Sequence, residues 1–234
     1  MRRPMLDEAA LLGAVLAVPA GVDVTAVLLC GSFARGEADG ASDVDIVSLV
    51  RGERAYLRLG RLGEHAVEVL YTPIARALEA PVRRATVAGA RVLYDPDGVA
   101  ALWLCGLAGR FERPYSLDAA RALYEPWNLG QALAALEAAA AAGDRVGVGY
   151  LRGLWLGDLV AYLLARRGVW APARRRQLAA LRQCDEAAYL EVAACLDAGA
   201  GTAAVAACRQ AFGHLVGESP TPPLAEAALV PLGA

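Results

Sequence analysis

Two aspartates interrupt an otherwise apolar strand, and this pattern constrains the chain more than any other. In the stretch "DVDIVSLV", Asp43 and Asp45 stand among mostly aliphatic residues. Because strand side chains alternate between two faces, both carboxylates are expected on one face and the intervening aliphatic side chains on the other. Two neighbouring carboxylates repel each other, and burying them is costly unless a cation lies between them. The pattern therefore predicts a cation site on this strand.

A third acid stands in a later strand. Glu68 is the one charged residue in "AVEVLY". If this strand lies beside the aspartate strand, three carboxylates converge and form an oxygen-rich site. Such a site suits Mg²⁺, which also accepts phosphate ligands. The alternative is that Glu68 is a surface acid on an edge strand.

The residues upstream of the aspartates indicate a phosphate-binding turn. Gly31 and Ser32 follow a predicted strand and are expected to open a helix. Glycine lets the backbone approach a ligand closely, and the serine hydroxyl with the exposed N–H groups can hold phosphate oxygens. Arg35, one turn further on, either adds a phosphate contact or is a solvated helix arginine. Together with the acids, these residues describe metal-assisted transfer at phosphorus.

The remaining pattern divides the chain into an α/β half, residues 1–112, and an all-helical half, residues 113–234, that ends in a Pro-rich tail. In the first half we predict strands at 23–30, 43–50, 66–71 and in "ARVLYDPDG", and helices at 6–18, 72–88 and 99–108. In the second half we predict helices at 117–142, 145–167, 172–183, 186–196 and 202–216. Pro126 is expected to kink or split the first of these.

Composition and charge exclude several classes of protein. With 57% hydrophobic and 21% charged residues, the chain has a globular composition. A net charge of −2 disfavours a nucleic-acid-binding role. The five cysteines form no CxxC motif, which indicates reduced thiols in a cytoplasmic protein. Two distant histidines support neither a zinc site nor a Ser/His/Asp triad, and we predict no membrane-spanning segment.

The stretch "GSFARGEADGASDVDI", followed by "VEV", resembles the DNA-polymerase-β-like nucleotidyltransferase superfamily. The resemblance implies an α/β (α+β) catalytic domain with a mixed sheet. It implies nucleotide-binding positions at Gly31, Ser32, Arg35 and Ser42. It also implies Mg²⁺ ligands at Asp43 and Asp45, and it makes Glu68 the third ligand, the catalytic base, or both.

The layout of a catalytic domain followed by a helical bundle is similar to that of aminoglycoside adenylyltransferases. This similarity implies transfer of a nucleoside monophosphate, with ATP as the favoured donor, to a hydroxyl of a small aminoglycoside-like acceptor. Pyrophosphate is released, and antibiotic resistance is one role such an enzyme can have. One alternative is an AMP-transferase of the toxin–antitoxin type that modifies a partner protein. The other is a non-catalytic nucleotide-binding module.

The helical half offers three candidates for acceptor binding. Glu125 and Trp127 flank the proline in "YEPWNLG", where an aromatic ring with polar neighbours could line an acceptor pocket. The alternative is a core tryptophan beside a surface acid. Asp158 stands in the apolar stretch "LRGLWLGDLVAYLL", where an unpaired acid would be costly to bury. It either pairs with an arginine or meets a polar substrate.

Overall fold

A mixed five-stranded sheet forms the centre of the first of two compact units, Met1–Arg113 and Pro114–Ala234. The computed structural model describes residues 6–18, 22–39, 42–79, 87 and 89–217. The strands are β1 (Asp23–Leu29), β2 (Val44–Arg51), β3 (Tyr56–Leu62), β4 (His65–Pro73) and β5 (Arg91–Tyr94). They lie in the order β3-β4-β2-β1-β5, with β2 and β4 parallel and the other neighbours antiparallel. The predicted mixed sheet is confirmed.

Helices pack on both faces of this sheet. They are α1 (Glu8–Leu16), α2 (Gly31–Ala34), α3 (Ile74–Glu79) and α4 (Val99–Phe111). The face that packs against α1, here called the α1 face, buries Leu29 and Ile46. The opposite face, here called the α4 face, buries Leu28 and Leu49 beside Trp103 of α4. Alternate residues of each strand therefore belong to different cores.

The structure contains a strand that the sequence reasoning did not predict. Strand β3 forms a hairpin with β4, and Leu62 pairs with His65 across a two-residue loop. Gly63 opens this loop with φ +59°, as the first position of a primed hairpin turn requires. The glycine of this turn was visible in the sequence. However, Gly60 and two arginines obscured the alternation of apolar and polar residues that would have identified β3 as a strand.

The predicted helix start at Thr72-Pro73 is wrong. Both residues belong to β4, where Thr72 pairs with Leu49 and Pro73 with Val50. Parallel pairing with β2 outweighs the local capping signal. Helix α3 begins at Ile74. The predicted helix continued to about residue 88, but residues 80–86 and 88 lie outside the described residues. The Pro-rich tail from residue 218 onwards lies outside them as well.

The second unit is helical, as predicted. Its described helices are α5 (Ala119–Ala141), α6 (Arg145–Arg166), α7 (Arg174–Cys184), α8 (Glu186–Asp197) and α9 (Thr202–Leu215). Aspartates cap α5, α6 and α8: Asp118 accepts from the Arg121 N–H at 2.8 Å, Asp144 from Gly147 at 2.8 Å and Asp185 from Ala188 at 3.0 Å.

Pro126 does not split α5, which runs through it. A proline removes one helical hydrogen bond, but the turns that follow are held by packing against α6. Leu129 and Leu136 are fully buried in the core of this unit, and Trp155 of α6 donates from Nε1 to the Leu129 carbonyl at 3.0 Å. Packing and this hydrogen bond therefore maintain the helix beyond the proline.

Helix α6, with 22 residues, is long and apolar enough to cross a membrane by length and composition alone. This differs from the prediction that no segment meets that test. However, Trp155, Leu159 and Leu164 of α6 are fully buried in the core of the second unit. We therefore interpret α6 as the central core helix of this unit.

The buried hydroxyl of Tyr71 provides a test of how α1 is attached to the sheet. Tyr71 donates from its hydroxyl to the Val15 carbonyl at 3.1 Å. Tyr71→Phe should lower the free energy of unfolding by about 1 kcal/mol, because the α1 carbonyl loses a buried partner. Urea unfolding measures this loss. Tyr56→Phe on β3, where the ring is exposed, is the control and should change little; equal losses for both variants would contradict the assignment.

Candidate functional site

Asp45 and Glu68 face each other across the parallel strands β2 and β4. They are direct register partners, and direct partners in neighbouring strands point to the same side of a sheet. That side is the α4 face, because Val47, two residues after Asp45, is buried there. Neighbouring strands lie about 4.8 Å apart, so the sheet places two carboxylate side chains next to each other.

Gly31 provides the space that Asp45 occupies. A Cβ built on Gly31 would lie 2.0 Å from Asp45 Oδ2, closer than any real Cβ contact. Gly31 also has φ +64°, a left-handed conformation that favours glycine. The main chain ties the same two segments together, because the Cys30 N–H donates to the Asp45 carbonyl at 2.8 Å. Glycine is therefore required here by conformation and by the neighbouring carboxylate, a reason that the sequence reasoning did not identify.

The thiol of Cys30 lies in the same buried region. Burial raises its pKa to about 12, and the negative charge of Asp45 contributes in the same direction. The residue is fully buried on the α4 face. Cys30 therefore remains a neutral thiol and packs as a small apolar side chain beneath the Gly31 turn.

The other predicted nucleotide-binding residues follow Gly31 along the chain. Ser32 is buried in the one-turn helix α2. Arg35 ends that helix and forms an ion pair from Nε to Glu37 Oε2 at 2.7 Å. The Ser42 hydroxyl donates to Asp39 Oδ1 at 2.8 Å and accepts from the Asp39 N–H at 2.9 Å. These two bonds connect Asp39 with Ser42, the residue that immediately precedes Asp43.

The carboxylate side chains of β2 and β4 supply the donor atoms that a metal ion would need. Among the described residues, no three His, Cys, Asp or Glu side chains form a ready-made metal cluster. The sheet brings Asp45 and Glu68 together, and Asp43 lies exposed two residues before Asp45. All the donors are carboxylate oxygens, and the Asp45 carboxylate is seated in the space left by the missing Gly31 side chain. This set fits a hard divalent cation such as Mg²⁺.

In the second unit, the surroundings of Asp158 disfavour its ionised form. The pKa of Asp158 lies above its usual range, first because of burial and second because of the negative charge of Glu125, while Arg174 opposes the shift. Asp158 is nevertheless more exposed than its apolar sequence neighbours suggested, since α6 buries Leu159 and Val160 and leaves Asp158 on its outer side. The free-energy cost of placing the Asp158 carboxylate in this helix is therefore smaller than the sequence analysis predicted.

Aromatic and basic side chains surround Glu125. Arg121, one turn earlier, donates to Glu125 Oε1 from Nη2 at 2.9 Å and also contacts the Tyr115 hydroxyl. Tyr115 packs edge-on against Trp170, with ring centroids 5.0 Å apart. Sequence reasoning missed these partners, although the four-residue spacing of Arg121 and Glu125 was a visible signal. Trp127 is 40% exposed, so it is not a core tryptophan.

The contact between Gly31 and Asp45 generates a prediction with a matched control. Gly31→Ala should destabilise the chain by more than the ~1–2 kcal/mol of left-handed backbone strain, because the new methyl group collides with the Asp45 carboxylate. Gly36→Ala is the control, since Gly36 has φ +69° and no atom within 4 Å of an added Cβ. Urea unfolding measures both variants. An equal loss of stability would show that Asp45 does not restrict position 31.

The interaction of Asp158 with Glu125 generates a pH-dependent prediction. Because the folded-state pKa of Asp158 is raised, its ionised form destabilises the fold above that pKa. Asp158→Asn should therefore raise the thermal unfolding midpoint at neutral pH, and the gain should vanish as the pH falls below the ordinary aspartate range. Asp197→Asn, at an exposed site, is the control. A gain that does not depend on pH would contradict the electrostatic cause.

A family model matches part of the first unit. Residues 17–84 match the family model described as a nucleotidyltransferase domain, and the match includes Gly31, both aspartates of the strand and Glu68. No curated protein matches the chain by sequence.

Among solved structures, the chain is similar to a nucleotidyltransferase-like protein from Exiguobacterium sibiricum 255-15. The TM-score is 0.50 at 12% identity, and the alignment covers 89% of this chain and 72% of the other. At this identity the likeness shows the fold alone. Residues 17–84 of the first unit are thus similar to a nucleotidyltransferase domain, and this similarity supports nucleotidyl transfer as the general activity.

Proposed function

We propose that the chain is a metal-dependent nucleotidyltransferase. In this proposal it transfers a nucleoside monophosphate, AMP from ATP, to a hydroxyl group of a small acceptor and releases pyrophosphate. The observation that carries the proposal is the register pair Asp45–Glu68, held beside Gly31 within the matched domain. A sheet gains no stability from two adjacent carboxylates on one face, so a bound cation and an anionic substrate account for the arrangement.

Asp43 and Asp45 would hold Mg²⁺ together with the triphosphate, and Glu68 is the third candidate ligand. When bound, the ion supplies positive charge that neutralises the triphosphate oxygens and favours loss of pyrophosphate. Gly31 and Ser32 would place their backbone N–H groups along the triphosphate, with Arg35 as a further cationic contact. The single turn of α2 is too short for the helix dipole to contribute much, so individual N–H groups are the main donors.

Glu68 would also act on the acceptor. Its exposed carboxylate takes the proton from the acceptor hydroxyl as that oxygen bonds to the α-phosphorus. The bond from the α-phosphorus to the bridging oxygen breaks, and pyrophosphate leaves with the bonding electrons. The proton stays on Glu68 until solvent removes it. Rate enhancement then comes from positioning the acceptor, base and triphosphate together.

Glu125, Asp158 and Trp127 would contribute to acceptor binding. The pKa of Asp158 is raised first by burial and second by the negative charge of Glu125, and a bound amine would offset both effects. Trp127 is exposed on the helix that also carries Glu125, and an exposed indole ring suits contact with an ammonium group. These features support an amino-substituted, hydroxylated acceptor of the aminoglycoside type, in which case a role in antibiotic resistance follows.

The first test is pyrophosphate release from each nucleoside triphosphate with Mg²⁺ against a panel of aminoglycosides and other hydroxylated antibiotics. Release that depends on one compound is expected, and Asp45→Asn should lower it at least ~100-fold, by the magnitude typical of removing an essential electrostatic group. Triphosphate binding without release across the panel would contradict a small acceptor and direct the search to a protein acceptor. An active Asp45→Asn enzyme would overturn the metal assignment.

A second pair of variants tests Glu68. Glu68→Gln should lower kcat about 10²- to 10⁴-fold, the usual contribution of a general base, while the affinity for Mg²⁺–nucleotide stays the same. Glu64→Gln, at an exposed position in the hairpin loop, is the control and should retain activity. If nucleotide affinity falls in step with kcat, Glu68 is a metal ligand and not the base.

A further inference from the structure

Four residues surround Glu68 on the α4 face of the sheet, and they differ in chemistry. Asp45 lies beside it on β2, and Leu59 lies beside it on β3. Ala66 and Leu70 lie two residues before and after it on β4 and point to the same side. One neighbour of the catalytic candidate is therefore an anion, and the other three are apolar.

The apolar neighbours are unusually exposed. Leu59 is 68% exposed and Leu70 is 40% exposed, and Leu57, the register partner of Leu70, is 59% exposed. These three leucines, here called the leucine shelf, contrast with the same face of β1 and β2, where Leu28 and Leu49 are fully buried. Exposed leucines that adjoin one another keep apolar surface in water at a cost that a bound ligand would remove.

The position of Glu68 restricts where an acceptor can lie, and this step rests on the function proposed above. A hydroxyl that gives its proton to Glu68 must come within about 3 Å of the carboxylate. On the Asp45 side this space belongs to the metal and the triphosphate. The part of the acceptor next to the reactive hydroxyl then lies over β3 and β4, where Leu59 is the register partner of Glu68.

We propose that Leu59, with Leu70 and Leu57, determines acceptor specificity by binding an apolar face of the acceptor next to its reactive hydroxyl. The acceptor class is thus a ring-bearing alcohol with one hydrocarbon face, such as a saturated carbocycle or sugar ring, and not an open-chain polyol. Leu59 is a specificity-determining residue that touches the acceptor and takes no part in proton transfer.

Two simple diols test this inference, and neither has to be the natural acceptor. trans-1,2-Cyclohexanediol and ethylene glycol offer the same vicinal hydroxyls, but only the former carries a hydrocarbon ring. With full-length protein, Mg²⁺ and ATP, mass spectrometry measures the nucleotidylated diol over a range of diol concentrations. We expect kcat/KM to be about tenfold higher for the cyclic diol, mainly through KM, as burial of the ring on the shelf would give.

Leu59→Gln should reduce this preference to about one, and Leu59→Ile should restore it. Leu102→Gln is the control, because Leu102 is 75% exposed on α4 and should not affect the ratio. If the native chain and Leu59→Gln show the same preference for the cyclic diol, the inference is overturned. The proposed nucleotidyltransferase activity is not affected by that result.

Two further outcomes would overturn the proposed role of the leucine shelf in acceptor binding. If neither diol nor any compound of the panel is nucleotidylated, the proposed function fails and the inference fails with it. If Leu59→Gln converts an oligomer into a monomer in analytical ultracentrifugation, the leucine shelf is an interface between copies of the chain and does not bind an acceptor.

Discussion

Parallel pairing of β2 with β4 is the contact on which the candidate site depends. In the observed register, Val67, Val69 and Tyr71 of β4 pack towards α1, and Glu68 points to the opposite face beside Asp45. A slip of one residue would turn Glu68 into the α1 core and bring Val69 out beside Asp45. Burial of an unpaired carboxylate in that core would be costly. The same apolar side chains that stabilise the sheet therefore set the positions of the two acids.

The short hairpin between β3 and β4 completes this arrangement. It places a strand with exposed leucines on the far side of Glu68, while Arg58 on the opposite face of the same strand donates to the Ala14 carbonyl at 2.8 Å and so helps to hold the end of α1. One face of β3 thus contributes to the attachment of a helix, and the other stays open beside the acid. The hairpin is stabilised on one side of the sheet and remains available for ligand contact on the other.

Much of the fold and part of the site could be predicted from the sequence. Alternation predicted that Asp43 and Asp45 share one face because strand geometry is local, and helical periodicity indicated the helices of the second unit. Strand β3 was missed because its identity depends on pairing with β4, and the end of β4 was missed because pairing with β2 overrides a capping signal. The exposure of Asp158 could not be predicted either, since it depends on which side of α6 faces the core.

The tight contact between Gly31 and Asp45 has a consequence for how these two positions can vary. A side chain at position 31 has room only if the one at position 45 becomes shorter, so the two positions are not independent. The effects of substitutions at positions 31 and 45 on the free energy of unfolding should therefore not be additive. Adding a side chain at position 31 should cost less in a chain that already has a shorter residue at position 45. The turn glycine and the strand acid are therefore expected to change together, and the left-handed backbone at position 31 still favours glycine after the carboxylate is lost.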